Sequence, residues 1–263
     1  MSDRALVWDN VTVGAAADEV VVDAQGVYYR DLNRQLKALT DGGARRITIK
    51  HVAGQRYIGT NLHAAVRLTI EGVPGNDLGA FMDGPEIHVL NNAQDGCGNT
   101  MNSGTLVIHG SAGDILGHSM RGGSIFVRDN VGYRVGIHMK EFADVRPVIV
   151  IGGTAQHFLG EYMAGGVMIV LGAHLDPDAG HASRYIGTGM HGGVMYIRGA
   201  FDERFLGKEM GVADLDEADR AVLRHHVSAY AQHFGLALEP LLEGPFAKLY
   251  PRTKRPYGRL YAY

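Results

Sequence analysis

Short apolar stretches built on alternate positions recur along this chain at near-constant intervals: Ile87/Val89, Leu106/Ile108, Ile125/Val127, Met168/Val170 and Met195/Ile197. Two-residue alternation over so few residues, bounded by glycine, predicts a short strand with one face buried. Aligned on one glycine, Gly79, Gly98, Gly117 and Gly136 fall 19 residues apart, which makes the pattern an internal repeat. Methionine stands three residues after each of them, at Met82, Met101, Met120 and Met139, and again after Gly160, Gly187 and Gly207. Gly59/Leu62 reads as a degenerate first copy.

A 19-residue unit is too short for a strand, a packed helix and two loops, since a βαβ unit takes about 30 residues. Short strands joined by tight corners remain. Stacking such units puts like residues over one another about 4.8 Å apart, so the methionines and aliphatics form a continuous core. The expected fold is therefore mainly β, a right-handed parallel β-helix of about seven coils with corners at Gly79, Gly98, Gly117, Gly136, Gly160 and Gly187. The left-handed hexapeptide form is disfavoured because a unit of about 6 residues does not divide the spacing. Glycine suits the corners because it accepts positive φ and leaves room between close-packed coils. Turn residues Gly75, Gln94, Gly113 and Gly132 precede the anchors, with a polar column Asn76, Asp95, Asp114 beside them. The spacing then widens to 24 and 27, so Lys140–Arg146 and Ala173–His181 read as inserted loops, where partners are usually met.

Both ends lose the repeat, as expected of units that cover the open edges of a solenoid. Residues 1–50 read as an α/β cap with strand Val20–Val22, a helix from about Asp31 to Leu39 closed by Gly42–Gly43, and strand Ile47–Ile49. Residues 51–211 form the β-helix, and residues 212–263 a C-terminal helix and a docking tail, all in one folded unit. The helix spans about Asp216 to Phe234, with acids clustered at its start and Gly235 at its end. The tail KLYPRTKRPYGRLYAY is basic and tyrosine-rich. It reads either as a segment packed along the β-helix or as a docking element, since tyrosine and arginine are favoured at interfaces.

Composition narrows the function classes. Lys+Arg 25 against Asp+Glu 28 gives no basic surface for nucleic acid. The apolar runs are far shorter than the roughly 20 residues of a membrane span, and the start MSDRALVWDN lacks the pattern of an export signal, so a cytoplasmic protein is expected. One cysteine, Cys97, excludes an intramolecular disulfide and a four-thiolate iron–sulfur cluster held by this chain. The 13 histidines contain no H-x-x-x-H or H-E-x-x-H spacing. Their densest group with acids is His174, Asp176, Asp178, His181 and His191, which reads as a solvated loop more readily than as a cation site. His225–His226, adjacent on a helix, diverge. Asp95 and Asp114, with an arginine such as Arg121, are spaced to pose as paired carboxylates of a polysaccharide-acting β-helix. A ladder of turn-capping acids that bond their own backbone is the favoured reading. No catalytic, metal or cofactor-binding residue is assigned.

The segments GNTMNSGTLVIHG, GHSMRGGSIFV and GEYMAGGVMIVLG resemble the C-terminal "GXGXG" domain of the glutamate synthase large subunit. VAGQRYIGTNL, VGYRVGIHMKEF and RPYGRLYAY are similar to the stand-alone version of that domain, a separate subunit in archaeal-type glutamate synthases and, in a related arrangement, in N-methylglutamate synthase. The core repeat is shared with the formylmethanofuran dehydrogenase C subunit. The resemblance implies a non-catalytic structural subunit that positions a class II glutamine amidotransferase-like chain against an FMN-dependent synthase-like chain. FMN and iron–sulfur clusters would then reside on those partners. The surface expected to meet them comprises His138, Lys140 and Glu141 in the first insertion and Arg255, Tyr257, Arg259 and Tyr261 in the tail.

Overall fold

The computed structural model describes residues 8–14, 16, 18–176 and 179–253. Nine strands follow one another in parallel, each paired with the next in the chain: β2 (Glu19–Asp23), β3 (Arg46–Ala53), β4 (Arg67–Val73), β5 (Glu86–Val89), β6 (Thr105–Ile108), β7 (Ser124–Val127), β8 (Val148–Ile151), β9 (Ala164–Val170) and β10 (Gly192–Arg198). The register aligns the repeat residue for residue. Ile87 pairs with Leu106, Leu106 with Ile125, Ile125 with Ile149, Ile149 with Met168, and Met168 with Met195. These side chains, with Met82, Met101, Met120, Met139, Met163 and Met190, are fully buried inside the solenoid. The fold is a parallel β-helix of about six turns, against the seven or so that the repeat predicts. The Gly207/Met210 copy departs from the pattern. Its strand β11 (Met210–Ala213) pairs antiparallel with the C-terminal strand β12 (Phe246–Pro251) and adds no parallel turn.

Antiparallel strands close both edges. β1 (Val11–Val13) pairs with β2 at one end, and β12 lies between β10 and β11 at the other. The start of the basic tail is thus a sheet strand. Lys254 onward, with Arg255, Tyr257, Arg259 and Tyr261, lies outside the described residues. Helix α1 (Tyr29–Asp41) buries Leu32 and Leu36 against the first turns of the core.

Helix α2 (Glu217–Phe234) is placed differently from a terminal cap: it lies along the outer face of the sheet. The reason is the outward-facing column of the strands, which runs Thr69, His88, Val107, Phe126, Val150, Ile169, Tyr196. From Val107 onward it is apolar and needs cover. Leu223, Val227 and Tyr230 supply it, with Leu241 of α3 (Leu238–Leu242), forming a second core separate from the one inside the coils. Asp216 and Asp219 make a reciprocal capping box at the start of α2, and Gly235 ends it in the left-handed conformation. Tyr230 Oη donates to the Arg128 carbonyl at 3.0 Å, and Tyr196 Oη donates to Asp219 at 2.6 Å. Lys248 of β12 reaches the same carboxylate at 2.8 Å, tying helix, sheet and C-terminal strand together.

Candidate protein-interaction surface

Each coil turns at its anchor glycine through three left-handed residues at alternate positions. In successive coils they are Tyr57/Gly59/Asn61, Asp77/Gly79/Phe81, Gly96/Gly98/Thr100, Ile115/Gly117/Ser119, Arg134/Gly136/His138, Phe158/Gly160/Tyr162 and Tyr185/Gly187/Gly189, with φ between 52° and 73°. The corner bonds in both directions. The anchor N–H donates to the preceding coil (Gly117 to Cys97 O, 2.8 Å), whereas the flanking N–H groups donate to the following one (Ile115 to Tyr133 O and Ser119 to Ile137 O, 2.8 Å each). Only the central position demands glycine, because a Cβ there would point into the core. At the flanking positions the side chain leaves the solenoid, and bulky residues occupy a conformation they ordinarily avoid. Such backbone persists only where the surroundings enforce it, and it clusters at functional sites.

The flanking positions therefore build two outward columns. Tyr57, Phe81, Tyr162 and Tyr185 are each between 40% and 49% exposed, large apolar area held in place at solvent. Neighbouring coils stack these groups. The His138 ring lies parallel to Tyr162 at 5.3 Å and edge-on to His118 at 6.1 Å. Phe158 stacks on Tyr185 at 4.9 Å, and the Arg134 guanidinium lies over Phe158 at 4.4 Å while pairing with the buried carboxylate of Glu161. Between the columns, Asn99 joins Asp77 at 3.1 Å and His118 at 3.2 Å. Burial foremost, and then the nearby His138, lowers the His118 pKa, so this face carries a neutral imidazole at physiological pH.

Of the residues expected at the interface, His138 belongs to this face. Lys140 is exposed just beyond it. Glu141 does other work: its carboxylate accepts from Gly166 N–H at 2.9 Å and Arg146 Nε at 3.1 Å, folding the insertion back onto the next coil. Phe142, 72% exposed, stands at the tip of that loop. The second insertion does not gather its histidines. His174 pairs with Asp129, His181 is buried and bonds the Arg198 carbonyl, His191 bonds Gly189 O, and Asp178 lies outside the described residues. Asp95 and Asp114 do form a capping ladder, but across coils: Asp95 accepts from Asp114 N–H at 2.9 Å and Asp114 from Tyr133 N–H at 2.8 Å. Cys97 is fully buried, donates to Gln94 O, and has its pKa pushed up to about 12 by burial and then by Asp77 and Asp95. It stays a thiol. No helix among the described residues is long and apolar enough to cross a membrane.

The left-handed alternation is written in glycine itself at Gly96/Gly98 and Gly187/Gly189, and a family model described as "GXGXG motif" matches residues 42–251. The chain belongs to the GXGXG family. It is 46% identical over 255 residues to the uncharacterized protein MJ1350 of Methanocaldococcus jannaschii, covering 93% of this chain and 97% of that one. Its fold is also that of a chain in the crystal structure of the formyltransferase/hydrolase complex (FhcABCD) from Methylorubrum extorquens in complex with methylofuran. The TM-score is 0.60 at 20% identity, over 84% of this GXGXG chain and 87% of the other. That structural relative is part of a multi-subunit complex. The columns of exposed aromatics were not legible as a surface in the sequence, although one signal was present: bulky residues two before and two after a glycine anchor, recurring with the coil.

Proposed function

We propose that this GXGXG chain is a structural, non-catalytic subunit of a glutamate synthase-type or N-methylglutamate synthase complex, holding a glutaminase-like amidotransferase chain against an FMN-dependent synthase chain. One observation carries the reading. The segment VGYRVGIHMKEF, Val131–Phe142, resembles the stand-alone glutamate synthase subunit, and it is also the segment that sets Tyr133, Arg134, His138 and Phe142 on the outside of the solenoid. A stack of coils joined by continuous ladders is stiff along its axis, which suits a spacer between two active centres. Amphipathic rings held in a fixed conformation lose little entropy on docking, which suits them to a protein partner. FMN and iron–sulfur clusters then belong to the partner chains, and the complex works in the cytoplasm.

The structural likeness to a chain of FhcABCD favours a second reading, a β-helix subunit of a formylmethanofuran dehydrogenase or formyltransferase-like complex. Affinity isolation of the full chain from native extract, with identification of the bound chains and a flavin absorption spectrum, separates the two. Co-isolation of an amidotransferase-like chain and a flavin-bearing chain is expected. Partners of the formyltransferase class without flavin select the second reading, and recovery of the chain alone defeats both.

A further inference from the structure

A cluster of ligating side chains lies where the last turn of α2 crosses the outer face of the sheet. Glu86 and His88 are outward neighbours on β5, two residues apart on one face of the strand. His233 comes down on them from the last turn of α2. The His88 ring, 8% exposed, is edge-on to His233 at 5.7 Å, and His233 is backed by Phe126 at 4.8 Å. One ligating atom from each of Glu86, His88 and His233 lies within 4.8 Å of the other two.

We propose that Glu86, His88 and His233 form a binding site for a divalent transition metal of the zinc class, which pins the end of α2 to strand β5. Two imidazoles and one carboxylate are a donor set that zinc takes, with a fourth position left for water. Metal–nitrogen and metal–oxygen bonds of about 2.0–2.2 Å set tetrahedral ligand atoms roughly 3.3–3.6 Å apart, so the Glu86–His88 contact, now 2.6 Å, opens around the ion while the cluster as a whole, within 4.8 Å, needs only small side-chain shifts.

The hydrogen bonding of the cluster gives an independent reason. His88 Nε2 lies 2.6 Å from Glu86 Oε1, an acceptor, and 3.0 Å from Arg67 Nη2, a donor. A single ring nitrogen serves one or the other. A metal ion satisfies both lone-pair donors at once, and Arg67, which is 51% exposed and 3.4 Å from Glu86, has solvent to turn into. His109, the residue after β6, also faces the cluster, with its ring 6.2 Å from His88 and edge-on to Phe234.

The test is a titration of the tag-free, chelator-treated full chain with Co(II), followed by its visible d–d absorption, and with Zn(II) by calorimetry. One ion per chain and an absorption of tetrahedral intensity are expected. His233→Gln, His88→Gln and the near-isosteric Glu86→Gln should each weaken binding by more than the roughly 10–100-fold that losing an outer-shell partner costs. His225→Gln, one face over on the same helix, should bind as the parent does. Arg67→Gln should bind more tightly, since it removes a competing cation. Circular dichroism of each apo variant separates lost ligation from lost folding. Absence of cobalt absorption in the parent, or triad variants that keep their native spectrum and titrate as the parent does, overturns the proposal and leaves a hydrogen-bonded polar cluster in its place.

Discussion

Replacing Gly117 by alanine separates the two reasons a coil corner has for glycine. The first is backbone conformation: at φ +67° an L-residue costs about 1–2 kcal/mol. The second is space. A Cβ at Gly117 would lie 2.5 Å from Cδ1 of Ile149 in the next coil, a fully buried side chain with nowhere to retreat. Forcing a methyl into such a core costs about 1–3 kcal/mol more. Gly235 supplies the control, because at φ +64° a Cβ there meets nothing within 4 Å. Gly235→Ala should therefore lose about 1–2 kcal/mol and no more. Ile149→Val removes the clashing carbon and by itself costs about 0.5–1.5 kcal/mol. Combined with Gly117→Ala it should recover most of the steric part, so that the double-mutant cycle shows a favourable coupling of about 1–3 kcal/mol. Urea denaturation followed by circular dichroism measures the parent and all four variants. If Gly117→Ala costs no more than Gly235→Ala, or the two substitutions at positions 117 and 149 simply add, close coil packing is not what selects glycine at the anchor.

Four further outcomes are expected. Asp114→Ala should cost about 0.5–1.5 kcal/mol in a urea melt by leaving the Tyr133 N–H without its acceptor, and Asp114→Asn should restore most of it. Tyr196→Phe removes a hydrogen bond to the buried Asp219 carboxylate and should cost about 1.5–3 kcal/mol; a neutral result would mean that Lys248 and the Asp216 N–H suffice to hold that charge. Burial first, and then the neighbouring His225 and Arg146, lowers the pKa of His226 from 6.5 to about 4. The unfolded chain thus takes up this proton before the folded one, so the contribution is present above about pH 6.5 and lost as pH falls through about 4. His226→Gln should flatten the decline of the urea midpoint across that window, and an unchanged slope refutes the assignment. Finally, His138→Ser with Tyr162→Ser should abolish recovery of partner chains while leaving the melting temperature nearly unchanged, because both side chains point to solvent. Full recovery of the partners would remove the aromatic columns from the interface.

The coil period, the buried methionines and the strand positions were legible because each is a property of residues close together in one chain segment, repeated until chance is excluded. Gly98, Met101, Leu106 and Ile108 specify one coil, and the next coil says the same thing 19 residues later. What one coil does to its neighbour was not legible. The Asp95–Asp114–Tyr133 ladder crosses between coils, where the residue types alone suggested local caps. The stacked rings of His138 with Tyr162 and of Phe158 with Tyr185 depend on left-handed backbone at positions that carry no glycine to announce it. The C-terminal strand Phe246–Pro251 reads as a tail because its pairing partners, β10 and β11, are chosen only when the sheet edge exists. Helix α2 is plain in the sequence by its spacing and cap, yet its seat on the outer sheet face depends on Val107, Phe126, Val150 and Ile169 coming into one column. His88 and His233 are distant in sequence and share a cluster only because that seat brings the last helical turn over β5. Periodic sequence determines the solenoid because every coil solves the same local problem. The surfaces where a partner or a metal would bind arise from stacking and helix docking, which no single coil encodes.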